Sequence, residues 1–310
     1  MMPGARSPYR RDMDDSARET LLAGLPVTER RRRLAGVSTS VLEGGEGPPM
    51  VLLHGPGAFA AAWRPVLPRL ARTHHVIVPD LPGHGASQID EGPFDAERVL
   101  RWLDELIEQT CPAPPVLVGG TVGGAIAARF ATQLAATRPA TTQHQRRLAG
   151  LVLVDTLGLA PFEPAPRFGI ALHRFLAGPT QRSYERLMEF CTFDLDRVRE
   201  QLGQRWDPFA AYAVELVCDA RVQAALGSLI GQFAAAPIPP EQLARIDVPT
   251  TLIWGRHDLA TPLHVAEAAS ARYGWPLHIV EDAGDEPFLD QPEAFLDVLQ
   301  LAVGGAVVGS

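Results

Sequence analysis

The 310-residue sequence predicts an α/β fold, a mostly parallel sheet flanked by helices, and three observations lead to it. Short apolar runs of strand length alternate with stretches of helical period. The runs end at Gly, Pro or Asp, residues that stop a strand and open a loop. The alternation fails once, between residues 161 and 246, where helical patterns follow one another with no strand pattern among them.

Residues 1–20, "MMPGARSPYRRDMDDSARET", are polar and unpatterned and read as a mobile N-terminal arm. The basic run "ERRRRLAG" reads as a solvated face just before the first strand. Seven strands follow: "GVSTSVLEG", "PMVLLHG", "HHVIVPD", "PVLVGG", "GLVLVDT", "PTTLIWG" and "PLHIVED". Between the third and fourth, Phe94 to Thr110 reads as a helix, with Asp95 able to cap its start and Val99, Trp102, Leu103, Leu106 and Ile107 at helical spacing. The stretch 161–246, with "FGIALHRFLAG" and "FAAYAVELVCDARVQAALGSLIGQFA", reads as a helical cap lying over the strand ends as a lid. The core is then 21–160 with 247–310. In such sheets ligands bind beyond the carboxyl ends of the strands.

Composition narrows the function. The net charge of -8 leaves no cationic surface for nucleic acid. The sequence contains no lysine, so all 28 basic residues are arginine and Schiff-base chemistry is excluded. Cys111, Cys191 and Cys218 match no disulfide or metal spacing. With no signal-peptide pattern and no long apolar run, a cytoplasmic protein away from the membrane is expected. "GGTVGG" does not fit the dinucleotide spacing, so no cofactor is expected, and no metal. A small-molecule substrate remains the expected partner; the sequence does not speak to oligomeric state.

Four motifs stand in order: "VLLHGPGAFAAAW", "PDLPGHGAS", "VGGTVGGAIAA", and "IWGRHDLATP" ahead of "IVEDAGDEPFLDQPEAF". From about Leu34 to Leu301 the chain resembles the α/β-hydrolase family with a helical cap, of the esterase, C–C hydrolase and epoxide hydrolase-like kind. The resemblance implies an α/β-hydrolase fold and a catalytic triad.

In that family a nucleophilic serine sits on a G-x-S-x-G elbow. Here Gly119 and Gly123 flank Thr121, a β-branched residue. The family's acid follows a strand in a G-x-x-D pattern, which Gly255 and Asp258 match. The position of its histidine, after an A-G pair, is Asp285. An aspartate is a weaker base than histidine by about 2.6 pH units, roughly 3.5 kcal/mol, unless burial and the neighbouring Asp258 raise its pKa or let the two share a proton. One oxyanion donor would be the N–H of Val122. The other would come from the loop after His54-Gly55, where Pro56 has no N–H and Gly57 or Ala58 must supply it. His54 and His84 read as bracing residues and His257 as pointing away from the site, which leaves His173 in the cap as the one histidine able to reach down. Phe168, Leu172, Phe175, Leu187 and Phe190 are candidates to line the pocket.

Three readings follow from the sequence. The first is an enzyme doing acid–base chemistry (elimination, cyclisation or isomerisation) on a small apolar organic molecule, with Thr121, Asp285 and Asp258 catalytic. The second is an ester-type hydrolase with an unusual Thr-Asp-Asp site. The third is a non-catalytic protein that binds a ligand in a retained pocket.

Overall fold

The structure is a computed structural model that describes residues 15–90, 94–137 and 147–307. Its strands are β1 (Thr28–Leu34), β2 (Val37–Gly44), β3 (Pro49–Leu53), β4 (His75–Pro79), β5 (Gln88–Ile89), β6 (Val116–Gly120), β7 (Gly150–Val154), β8 (Thr250–Gly255) and β9 (Leu277–Val280). They form one sheet in the order β1-β2-β4-β3-β6-β7-β8-β9, with β5 paired to β2. Pairing is antiparallel among β1, β2 and β4 and parallel from β4 through β3 to β9.

The parallel strands β3, β6, β7 and β8 are buried along their whole length. Their near-continuous Val, Leu and Ile suit strands covered on both faces. The helix Ala96–Thr110 buries Val99, Trp102, Leu103, Leu106 and Ile107, and Asp95 caps it by accepting the Arg98 N–H at 2.8 Å. Between β7 and β8 come the helices Pro166–Ala177, Gln181–Cys191, Leu195–Leu202, Trp206–Cys218, Ala220–Phe233 and Pro240–Leu243. Asp219 ends one long apolar run and caps the next helix through the Arg221 N–H, so the run becomes two helices.

Two expectations change. The basic run is itself a strand: β1 pairs with β2 over its whole length and turns its arginines outward on the sheet edge. Charge on an edge strand discourages further pairing, so the run serves the fold while lying in solvent. The mobile arm expected over 1–20 does not extend to Asp15–Leu22, which is a helix packed on Trp206–Cys218. Ala17 and Leu21 share one buried face at four-residue spacing, and between them Arg18 reaches Asp80 at 2.7 Å and Tyr212 at 3.1 Å. That spacing and the ion pair outweigh the segment's polar composition. The rest of that expectation, residues 1–14, lies outside the described residues.

Candidate active site

Chemistry-bearing residues gather at one end of the sheet because five adjacent parallel strands all finish there. The loop from His54 to Ala58 leaves β3, Thr121 follows β6, Asp155 follows β7, Asp258 lies three residues beyond β8, and Asp285 five beyond β9. This is the carboxyl edge at which doubly covered sheets bind ligands.

Thr121 sits between β6 and the helix Val122–Thr137 at φ 46°, in the left-handed region. A β-branched residue is strained there by roughly 1–3 kcal/mol. The turn is possible because its flanks are bare: a Cβ on Gly119 would stand 2.5 Å from the backbone of Gly123, and one on Gly123 would stand 2.6 Å from the carbonyl oxygen of His54. The Thr121 N–H donates to the Val154 carbonyl at 2.9 Å, while its Oγ1 is buried without a partner. The N–H of Val122 belongs to the first turn of its helix, where it has no partner within the helix. In the β3 loop the Ala58 N–H turns back toward the Gly55 carbonyl in a long contact of 3.4 Å. Gly57, at φ 72°, is the loop's other candidate, and Pro56, Gly57 and Ala58 all line the cavity.

Asp285 and Asp258 meet because their loops touch through bare backbone: a Cβ on Gly255 would lie 1.8 Å from the Gly284 carbonyl oxygen. Asp258 Oδ1 accepts the N–H groups of Ala260 and Thr261 at 2.7 and 2.8 Å. Its Oδ2 faces Asp155, a residue the sequence reading passed over. Asp155 is fully buried at φ 42°, and its Oδ1 accepts the Gly255 N–H at 2.9 Å. The second oxygens of Asp155 and Asp258 have no donor in reach, and a proton held by Asp155 and given to Asp258 satisfies both. Asp258 therefore has Asp155 as a neighbouring acid as well as Asp285. Burial raises the Asp155 carboxyl well above the usual range, with Asp258 adding to it. Burial also pushes Asp258 up to about 7, against the backbone N–H groups of Thr261 and Ala260.

Asp285 hangs from the cap, its N–H donating to the Cys191 carbonyl at 2.9 Å. Its side chain is 7% exposed, and Oδ1 has no partner. Burial raises its pKa well above the ordinary carboxyl value, followed by the charges of Asp258, Glu286 and Asp290, while a hydrogen bond with the Cys191 thiol acts the other way. Glu286 was also missed in the sequence; burial, then Asp290, pushes it up to about 7. Asp290 ties the two sides together by accepting from Gly284 at 2.7 Å and from Phe193 of the cap at 3.1 Å.

Of these groups Thr121, Asp285 and Glu286 open on a cavity of about 130 Å³, roughly ten times the space one water needs, so it is sized for an organic molecule. Thr121, Asp285 and Glu286 give it polar wall, and Phe168, Leu172, Phe175 and Leu187 are among its apolar lining. Phe190 does not line it. That ring lies under the guanidinium groups of Arg186 and Arg167 instead, 4.8 and 5.9 Å from its centroid, which holds it on the outer side of the cap. His173 is exposed and does not reach the cavity, because its helix turns Ala171 and Phe175 inward. His257 is likewise exposed, stacked 4.6 Å from Phe193. His54 is buried, accepting the Leu81 N–H at 2.9 Å and contacting the Gly55 carbonyl at 2.7 Å, and burial lowers its pKa to about 4. His84 packs beside it with ring centroids 5.7 Å apart. None of these four histidines stands beside Thr121 as a base.

The model of the "Alpha/beta hydrolase family" matches residues 50–298. The chain is 27% identical to a pimeloyl-[acyl-carrier protein] methyl ester esterase of Aeromonas hydrophila, over 86% of this chain and 100% of that protein. It is 30% identical to a magnesium-chelatase 30 kDa subunit of Rhodobacter capsulatus, over 78% and 82% of the two chains. Its fold is like that of a 2-hydroxy-6-oxo-6-phenylhexa-2,4-dienoate hydrolase from Rhodococcus sp. strain RHA1, with a TM-score of 0.74 at 24% identity over 90% and 99% of the chains. With the sheet order, the elbow and the family match in agreement, this chain belongs to the alpha/beta hydrolase family.

Proposed function

We propose that this alpha/beta hydrolase family member acts on a small apolar organic molecule by acid–base chemistry, an elimination, cyclisation or isomerisation, and not through an acyl-enzyme. The observation that carries this reading is that Thr121 Oγ1 and Asp285 Oδ1, both buried without partners, line one cavity. An acyl-enzyme needs a base that removes the hydroxyl's proton. A carboxyl whose pKa is raised by burial and by Asp258 keeps its own proton to higher pH and while it does so is a poor acceptor for another. The same group is a good donor, and its conjugate base a good acceptor, for a substrate whose proton moves near neutral pH.

In this reading a substrate oxygen sits against the hydroxyl of Thr121 and the N–H of Val122, with Gly57 on the opposite loop. These donors would hold negative charge developing on that oxygen in a site that excludes water. Asp285 gives or takes the proton, and the Asp155–Asp258 pair behind it takes up part of the resulting charge change by shifting its shared proton. The six helices between β7 and β8 act as the lid, with the apolar side chains of the cavity body shaping the substrate.

A second reading, ester hydrolysis with Thr121 as nucleophile, is favoured by the retained elbow and by the relative named a methyl ester esterase. A panel of aryl esters separates the two. The acid–base reading expects an inert wild type and a gain of esterase activity when Thr121→Ser is combined with Asp285→His. Ester turnover by the wild type that disappears in Asp285→Ala would overturn it in favour of the hydrolase.

A further inference from the structure

The cavity's polar end carries acids and no counter-charge. Asp285 and Glu286 stand side by side on its wall, while its described lining includes no arginine and no histidine. Asp285 is 7% exposed with Oδ1 unpartnered, and Thr121, also 7% exposed, has an unpartnered Oγ1, so two buried polar atoms at this end await a ligand group. The other walls are aromatic and aliphatic, with Phe168, Phe175, Tyr184 and Phe209 among them.

We propose that the substrate of this site is an apolar amine, a molecule with a protonated nitrogen at one end seated between Asp285 and Glu286 and a hydrocarbon body along the aromatic walls. This deepens the proposed function by naming the substrate class, and it rests on that reading's assignment of Asp285 to the working end. A carboxylate ligand would bring its negative charge into a low-dielectric pocket beside two acids, with no cation to meet it. A neutral ligand would leave the two acids as they are. An ammonium group pairs with them directly and gains further from the ring faces.

The groups facing these two acids agree on the sign. Asp258 and Asp155 from the β8 and β7 loops, Asp290 from the following helix, and Cys191 and Tyr184 from the cap supply no positive charge. A bound ammonium therefore favours the ionised acids, and binding releases protons wherever they are still protonated in the free protein. Affinity then rises with pH through about 7, where Glu286 titrates, and falls again as the amine itself loses its proton near pH ~10.

The test uses the full chain and three matched probes, phenylbutylamine, phenylbutanol and phenylbutyrate, in calorimetric titrations near neutral pH. We expect the amine to bind about tenfold more tightly than the alcohol and the acid about a hundredfold more weakly than the amine. The heat of amine binding should vary with the buffer's ionisation enthalpy, the signature of proton release. Glu286→Gln should bring the amine down toward the alcohol while leaving the alcohol's affinity alone. If that variant does not fold, the probe series on the wild type still decides. Equal binding of amine and alcohol, tightest binding of the acid, or binding of none of the three overturns the proposal. Because no turnover is measured, such a result would leave the acid–base reading to the ester panel, and a failure there would leave the charge preference standing.

Discussion

Replacing Asp258 by Asn probes the carboxyl cluster through its linkage to pH. Asn keeps the Oδ1 that accepts from Ala260 and Thr261 and turns an amide N–H₂ toward the unpartnered Oδ2 of Asp155. In the wild type burial lifts the Asp258 pKa from 3.8 to about 7. The folded state thus binds a proton that the unfolded state has released. This contribution is fully present below pH 3.8 and is lost as pH rises through about 7. A shift of about 3 units at about 1.36 kcal/mol per unit gives about 4 kcal/mol, an upper bound because the proton is shared with Asp155. The total stability of the wild type mixes this with an opposite trend: the His54 pKa is lowered to about 4, so its contribution grows as pH rises from 4 toward 6.5. Subtracting the two proteins removes the histidines. Equilibrium urea unfolding of wild type and Asp258→Asn at several pH values should show the variant gaining by up to about 4 kcal/mol between pH 4 and 8. A difference that stays flat with pH, or moves against the variant, would mean that the Asp258 carboxyl is not raised by burial.

Three other changes test separate parts of the account. Thr121→Val keeps the shape and removes an unpartnered buried hydroxyl, so thermal unfolding should show a gain of about 1 kcal/mol while turnover is lost; a loss of stability would mean the hydroxyl has a partner. Arg18→Met leaves the buried Asp80 carboxylate without its cation and should lower stability by about 3–5 kcal/mol, measured by denaturant unfolding, whereas a near-neutral result would show that the N-terminal helix does not clamp the cap. Gly123→Ala puts a Cβ 2.6 Å from the His54 carbonyl oxygen, and a loss of about 3 kcal/mol or more, or failure to fold, is expected from circular dichroism melts.

The elements legible in the sequence were those with a strong period or a steric signature. The buried strands showed as apolar runs, Asp95 as a cap, and the elbow as Gly119 and Gly123 in "VGGTVGG", because backbone contacts leave no room for a Cβ there. β1 was not legible as a strand, since a sequence of arginines carries no hydrophobic alternation and its pairing comes from β2 alongside. The helix Asp15–Leu22 hid for a similar reason: its anchor is Arg18, whose partners Asp80 and Tyr212 are 62 and 194 residues away. Asp155 had a local signal, an acid ending a buried strand at the same edge as Thr121. Its role depends on Asp258, which only the sheet order brings beside it. Glu286 follows Asp285 directly, yet chain position alone does not tell that both face one cavity. Phe190 and Phe168 have the same chemistry, and only helix packing decides which of them turns inward.

The central claim is that Asp285 stands in the cavity as a carboxyl that keeps its proton near neutral pH. Difference infrared spectra of wild type against Asp285→Asn, recorded from pH 4 to pH 8, observe that proton directly. A neutral carboxyl C=O band is expected in the wild type at pH 7 and not in the variant, with a midpoint far above the ordinary 3.8. An Asp285 band already gone by pH 5 would mean an ionised carboxylate at work and would contradict that claim.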